Sequence, residues 1–256
     1  MLDPSAYHAI EVTVADSGIA VLTLSRPDRS NAVDDLMHSE LSTVFARAQD
    51  DPRVRVVVLT GAGRAFSTGG DAAPDRAYTT STGRTPIDEA RHIVDDVIAM
   101  TKPLVAAVNG HAIGLGAVLA TLADFSYMAE SARLGDPHVL AALPAGNGAA
   151  VIWPLLVGVN RAKQLLMTSE ILTAADAERF GLVTRVVADG EALPAAMAMA
   201  ERLLALAPQA VEGTKASINR LLAIASSAVL PLSLALEDAA MRHDDFRAAL
   251  ARLAER

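Results

Sequence analysis

Two glycine-rich turns each follow an apolar run, Phe66–Asp71 and Gly110–Gly116. Glycine lets the backbone approach a ligand closely and adopt φ values closed to other residues. The second turn, Gly114-Leu115-Gly116, opens an apolar helical stretch. The first N–H groups of such a helix have no partner within it and carry the positive end of its dipole. If the two turns converge, two backbone N–H groups can aim at one oxygen and form an oxyanion hole. If they do not, they are ordinary tight turns of the kind that commonly follow strands. His111 and His138 lie beside these turns. Imidazole has an unperturbed pKa of about 6.5, which suits proton transfer near neutrality. For either histidine alone, a structural role is the simpler reading.

Other chemistries fit less well. Gly61-Ala62-Gly63-Arg64-Ala65-Phe66 and Gly114-Leu115-Gly116-Ala117-Val118-Leu119 both lack the third glycine of the dinucleotide fingerprint GxGxxG, and no Walker sequence is present. Ala65-Phe66-Ser67-Thr68-Gly69 approaches the GxSxG elbow of serine hydrolases, with Asp124 and His138 downstream in the right order. That elbow turns straight from strand to helix, whereas Gly69-Gly70-Asp71-Ala72-Ala73-Pro74 is a poor helix start. The six histidines show no HExxH spacing and no metal cluster. His38 and His243 fall on polar stretches and are expected in solvent. The absence of cysteine excludes disulfides, thiolate nucleophiles and Cys-ligated metals.

The turns need strands and helices to carry them. Ile10, Val12 and Val14 alternate with polar residues, Asp16-Ser17-Gly18 supplies a turn, and Ile19–Leu24 completes a hairpin over 9–24. Asn31 is expected to cap the next helix, with Leu36, Leu41, Val44 and Phe45 on its apolar stripe. Val54–Thr60 is a β-branched strand. Residues 72–86 show no period and predict a mobile loop. A helix over Ile87–Met100, a buried strand over Pro103–Val108, a helix from Gly114 to about Leu122 and a strand over Phe125–Ala129 follow. Leu134–His138 breaks the pattern. Helices are expected near 148–157, 160–168 and 174–180, with a last strand over Leu182–Val187. From Glu191 onward the chain is Ala/Leu-rich and helical, with breaks at Pro208 and at Leu230-Pro231. No fixed-period repeat is apparent. This order predicts an α/β core over 1–190 and a helical region over 191–256.

Composition limits the partners. The 256 residues are 52% hydrophobic and 20% charged, which excludes a disordered chain. Lys and Arg number 22 against 30 Asp and Glu, a formal net charge of −8, which argues against a nucleic-acid partner and leaves room for a local basic patch. No apolar run approaches the roughly 20 residues that span a bilayer, and MLDPSAYHAIEV has neither a basic nor an apolar leader region. No membrane partner and a cytoplasmic location are expected.

Four ordered segments resemble the crotonase superfamily, the enoyl-CoA hydratase/isomerase family. Leu22-Thr23-Leu24-Ser25-Arg26-Pro27-Asp28-Arg29-Ser30-Asn31-Ala32-Val33 is similar to its LTLNRPxKRNAL signature. The run from Val57 to Asp71 resembles VVLTGxGxAFCAGADL, and that from Lys102 to Gly116 resembles KPVIAAVNGxAxGGG. Leu172–Ala177 with Gly181-Leu182-Val183 resembles a fourth. The resemblance implies a crotonase-like spiral of ββα turns whose helical C-terminal region trimerises, giving a homotrimer or a hexamer built as a dimer of trimers. It implies an acyl-CoA thioester ligand, with coenzyme A as part of the substrate and no tightly bound cofactor or metal. The thioester oxygen falls between the N–H groups of Gly70 and Leu115, which stabilise an enolate. Arg26, Arg29, Ala32, Thr68, Gly70, Asp71 and Ala72 fall at positions placed against coenzyme A.

The departures from the pattern concern side chains. Hydratases of the family use two glutamates, and at those positions this chain has Val118 and His138. Asn147 stands where isomerases can carry a further acid. On the family pattern Asp136 faces away from position 138. An enzyme working through an enolate, with His138 as its sole acid/base, is one expectation, and its two-carboxylate hydration is expected to be weak. A non-catalytic acyl-CoA-binding protein on the same fold is the alternative. A His138 ring turned towards the glycine turns supports the enzyme, and one packed away from them supports the binder.

Overall fold

In the computed structural model, which describes residues 1–71 and 81–254, β1 (Ile10–Val14) and β2 (Ile19–Leu24) form the expected hairpin, with Ile10 opposite Leu24. The chain continues through α1 (Asp35–Asp50), β3 (Val56–Gly61), α2 (Pro86–Ala99), β4 (Leu104–Val108), β5 (Ala112–Ile113), α3 (Leu115–Leu122), β6 (Phe125–Ala129) and β7 (Arg133–Gly135). A 3-10 turn over His138–Ala141 precedes α4 (Ala149–Val157), α5 (Val159–Thr168), β8 (Leu172–Thr173), α6 (Ala174–Phe180) and β9 (Arg185–Val187). Three helices close the chain, α7 (Ala192–Leu204), α8 (Pro208–Met241) and α9 (Asp244–Ala254).

Six strands form one sheet in the order β1-β2-β3-β4-β6-β9, parallel from β2 onward. β3 and β4 are buried along their whole length, which is why their sequences are continuously apolar rather than alternating. One face of the sheet lies on the main core, beside Leu41, Phe45, Ile93 and Leu119. The other face carries α7. Its Ala192, Ala196 and Ala200, one turn apart on one helix face, pack on Ile19, Val56, Val58, Val105 and Ala107. The helical segment after residue 190 is thus built into the packing, with α7 on the sheet and α8 against α2 and α4.

A second sheet, β5-β7-β8, was not expected. Its strands have two or three residues, too few to show alternation in a sequence. It matters because β5 pairs in parallel with β7, Ala112 opposite Leu134, and so brings the segment before His138 to the start of α3.

Local expectations change at four places. Asp34, not Asn31, caps α1, its carboxylate accepting from Met37 N at 2.9 Å. Asn31 is fully buried at φ 54° and ties the loop instead, accepting from Arg26 N and donating to the carbonyls of Ala62 and Ala65. Leu36, expected on the α1 stripe, is exposed. α8 runs unbroken through Pro231. Its burial at Leu230 and Leu234 on either side outweighs the one hydrogen bond that proline removes. The loop expected over 72–86 lies outside the described residues as far as position 80, and α2 already begins at Pro86, capped by Thr85.

At 34 residues α8 is long and apolar enough to cross a bilayer by length and composition, which corrects the expectation that no segment is. Here it buries Lys215, Ser226, Ser233 and Glu237 inwards and leaves Ile218, Leu221, Ile224, Leu232 and Leu236 exposed.

Candidate active site

The two glycine turns lie side by side. Ser67 forms a parallel bridge with Ala112, Phe66 N and Ser67 N both donate to His111 O, and Ile113 N donates to Ser67 O at 2.9 Å. A Cβ on Gly116 would sit 2.5 Å from Ser67 O, so the turns can approach this closely only with glycine there. Gly114, at φ 55° and ψ −122°, starts α3 with a backbone shape closed to L side chains. Its N–H is held by Gly135 O at 2.9 Å. Leu115 N, the next amide, is at the first helical position and has no acceptor within the helix. On the other turn, Val33 N donates to Gly69 O and Asp71 N to Val33 O. That pairing uses the groups on either side of Gly70 and leaves the Gly70 N–H aside. Gly70 is exposed, and a Cβ there would meet nothing within 4 Å.

His138 faces these turns. Its Cε1 lies 3.9 Å from where a Cβ on Gly114 would be, one residue before Leu115. Its ring is 13% exposed. Asp136, expected to face away, turns back across Pro137 instead. Its Oδ1 accepts from both the backbone N and the ring Nδ1 of His138. Proline fixes the backbone between them, so carboxylate and imidazole meet two residues apart. With Nδ1–H on a carboxylate, Nε2 is the basic nitrogen, and Asn147 Nδ2 donates to it at 3.2 Å. Burial alone would lower the His138 pKa, but the charge and hydrogen bond of Asp136 and the charge of Glu237 outweigh it and raise it.

Glu237 is the site residue that sequence reading did not find. It comes from α8, and its Oε1 lies 3.7 Å from His138 Nε2. Burial, with the charge of Asp136 added and that of His138 opposing, pushes its carboxyl up to about 7. The loop Gly146-Asn147-Gly148 lies against Glu237, His138 and Val118. A Cβ on Gly146 would sit 2.0 Å from Glu237 Oε2, Asn147 meets His138, and a Cβ on Gly148 would sit 3.0 Å from Val118 Cγ1. Val118 itself is fully buried.

The residues expected against a nucleotide are gathered around the first turn. Arg26 pairs with Asp34 and Asp71, both at 3.1 Å, and donates to Ala32 O. Arg29 pairs with Asp71 at 3.0 Å. Partial burial raises the Asp71 pKa, but these two arginines outweigh it and hold it below the ordinary carboxylate range. Thr68 Oγ1 donates to Ser30 O at 3.3 Å, and Ala32 is buried. Ala72 lies outside the described residues.

Other candidates are occupied elsewhere. Ser67 is fully buried and donates to Asn31 O, and Asp124 pairs with Lys215 at 2.7 Å, so the serine-hydrolase order of residues forms no triad. His38 is not in solvent: its Nδ1 lies 2.9 Å from the buried carboxylate of Glu89. His111 stays with the backbone of Arg133, whose N donates to its Nδ1.

The model of the Enoyl-CoA hydratase/isomerase family matches residues 14–256. The chain belongs to that family. A crotonyl-CoA hydratase of Syntrophomonas wolfei is 36% identical over 215 residues, which are 84% of this chain and 82% of that protein. A crystal structure of an enoyl-CoA hydratase/isomerase from Mycobacterium paratuberculosis superposes with a TM-score of 0.90 at 37% identity, covering 95% of this chain and 98% of that one. A monofunctional enoyl-CoA isomerase from M. smegmatis superposes with a TM-score of 0.71 at 30% identity, covering 84% and 94%. The fold is the crotonase fold with a helical C-terminal region, and the protein is an acyl-CoA enzyme of this family.

Proposed function

We propose that this chain forms and reprotonates the enolate of an acyl-CoA thioester, with His138 moving the proton. The observation that carries this is the His138 ring, held at Nδ1 by Asp136 and set beside Gly114 at the start of α3. The N–H groups of Gly70 and Leu115 donate to the thioester oxygen lying between them. His138 Nε2 takes a proton from the α-carbon, and the C–H electron pair moves into the thioester as an enolate. The imidazole becomes imidazolium and keeps its Nδ1–H on Asp136. Return of a solvent-exchanged proton restores the acyl group. Donors placed for an oxyanion are worth roughly 10²–10³ in rate each, and a positioned acid/base roughly 10²–10⁴.

This step needs no physiological substrate to be observed. Butyryl-CoA incubated with the protein in D₂O should gain deuterium at the α-carbon, read by mass spectrometry. His138→Ala should slow the exchange by roughly 10²–10⁴ with butyryl-CoA binding retained. Absence of exchange with binding intact would favour the non-catalytic acyl-CoA-binding reading. Hydration of crotonyl-CoA is expected to be weak. At the first glutamate position Val118 is fully buried and supplies no acceptor for an attacking water, a lost hydrogen bond worth about 1 kcal/mol net, and the second glutamate position holds His138. Robust hydration untouched by His138→Ala would misplace the catalytic group.

The exposed apolar row Ile218, Leu221, Ile224, Leu232 and Leu236 on α8 is of a kind seldom left in water. It supports a homotrimer, or a dimer of trimers, with this helix at the interface. Light scattering at micromolar concentration should give a mass of three or six chains, and a monomer would refute the assembly.

A further inference from the structure

We propose that Glu237 is the proton-sharing partner of His138, so that an imidazole and a carboxyl group from α8 work as one acid–base unit. The inference rests on the reading of His138 as the proton carrier. Three observations converge on it. Glu237 Oε1 lies 3.7 Å from His138 Nε2, the nitrogen opposite the one held by Asp136. Glu237 Oε2 and Asn147 Oδ1 are buried without a hydrogen-bond partner in the described structure, which buried polar atoms seldom tolerate unless a proton or a donor visits them. Gly146 is the third. A side chain at that position would place its Cβ 2.0 Å from Glu237 Oε2 and 2.7 Å from Glu237 Cβ, so the glycine is what admits the carboxyl to the site.

The unpartnered amide oxygen fits the same scheme. With the proton on Glu237, Asn147 N–H donates to bare Nε2, the two nitrogens lying 3.2 Å apart. With the proton on Nε2, the rotated amide offers Oδ1 as acceptor. The amide therefore serves both states, and the net charge of the group does not change as the proton moves. Burial favours such a shift over adding or removing a charge.

The groups that face this pair are few. Asp136 faces His138 from its own segment, and both Asp136 and His138 act on Glu237. α4, packed on α8, carries no titratable side chain. α2 meets α8 through Asp95 and Ser226, about three helical turns before Glu237. α5 and α9 pack on the 3-10 turn after His138. Their charged residues Arg161, Lys163, Asp244, Asp245, Arg247 and Arg252 are all exposed, where solvent screens them.

The test is a ¹⁵N NMR titration of the His138 imidazole in the full-length protein, its signals assigned by their loss in His138→Ala. Glu237→Gln should move the His138 midpoint down by about one pH unit or more. Gly146→Ala should do the same while leaving the carboxyl in the chain, because it displaces Glu237 from the ring. An unmoved midpoint in both variants overturns the proposal. Butyryl-CoA exchange in D₂O separates the two ideas. A shifted midpoint with no exchange in the wild type upholds the pair and removes the enolate function. Exchange that depends on His138, with a pH–rate profile identical in Glu237→Gln, upholds the function and removes the pair.

Discussion

The site has two halves built by different means. The half around Gly70 and Leu115 is backbone, fixed by the Ser67–Ala112 bridge, the Val33–Gly70 bridge and the bond from Gly114 N to Gly135 O. The half around His138 is side chain, assembled from Asp136, Asn147 and an acid delivered by α8. A backbone donor survives any side-chain change that keeps the chain path, so Leu115 can stand where the family pattern has glycine. A side-chain group has no such protection. It can be rebuilt from another element, and here Glu237 reaches His138 from α8. On the proposed reading, the fold fixes where charge is stabilised, and the side chains choose what proton chemistry is done there.

The largest effect expected from breaking the backbone half comes from Gly116→Val. Its Cβ would lie 2.5 Å from Ser67 O and 2.9 Å from Ser67 Cβ, so the turns must separate. Overpacking of this kind costs roughly 1–3 kcal/mol, and displacing the Leu115 N–H should slow α-deuterium exchange by roughly 10²–10³. Thermal melts and exchange rates on one preparation measure both. A variant with wild-type exchange would show that the turns do not act together.

The side-chain half should respond in the opposite sense, with stability gained where chemistry is lost. An unfolded glutamate has a pKa of about 4.3, whereas that of Glu237 stands at about 7 in the fold. Ionisation is therefore harder in the folded chain. The carboxyl costs the fold nothing below about pH 4 and progressively more as the pH rises to about 7, beyond which the cost is complete. Gln cannot ionise. Glu237→Gln should melt a few degrees above the wild type at pH 8, with the gain shrinking to nothing near pH 4. A difference independent of pH would show that the carboxyl is not held uncharged by burial.

The same division explains what the sequence revealed. The strands were legible because β3 and β4 are continuously apolar, and the backbone half because its glycines are needed for close approach at Gly116 and for the backbone shape of Gly114. β5, β7 and β8 were not, being too short to carry a period. Asp136 was in view beside His138, yet only the turn at Pro137 brings its carboxylate to the ring. Glu237 looked like one acid in an Ala/Leu-rich helix. The available signal was its place on the stripe of Leu230, Ser233 and Leu234, all buried. An acid on the buried stripe of a helix needs a partner, and only the crossing of α8 over Gly146 shows that the partner is His138. The Pro231 break failed for a related reason, since packing on both sides of it overrode local propensity.

The smallest effect should come from Arg29, at the edge of the backbone half. Its side chain is 63% exposed and pairs with Asp71, which also holds Arg26. The two arginines are thus partly neutralised by Asp34 and Asp71, and of the two Arg29 is the one largely open to solvent. Exposed charge pairs contribute about 0.2–1 kcal/mol, so Arg29→Glu should weaken butyryl-CoA binding about two- to fivefold at low salt. Screening should erase most of that difference near 1 M salt, where the Debye length falls to about 3 Å. Calorimetric titrations at two ionic strengths make the comparison. Unchanged affinity at low salt would assign Arg29 to the Asp71 clamp alone, and a loss that persists at high salt would place it in direct, desolvated contact with the ligand.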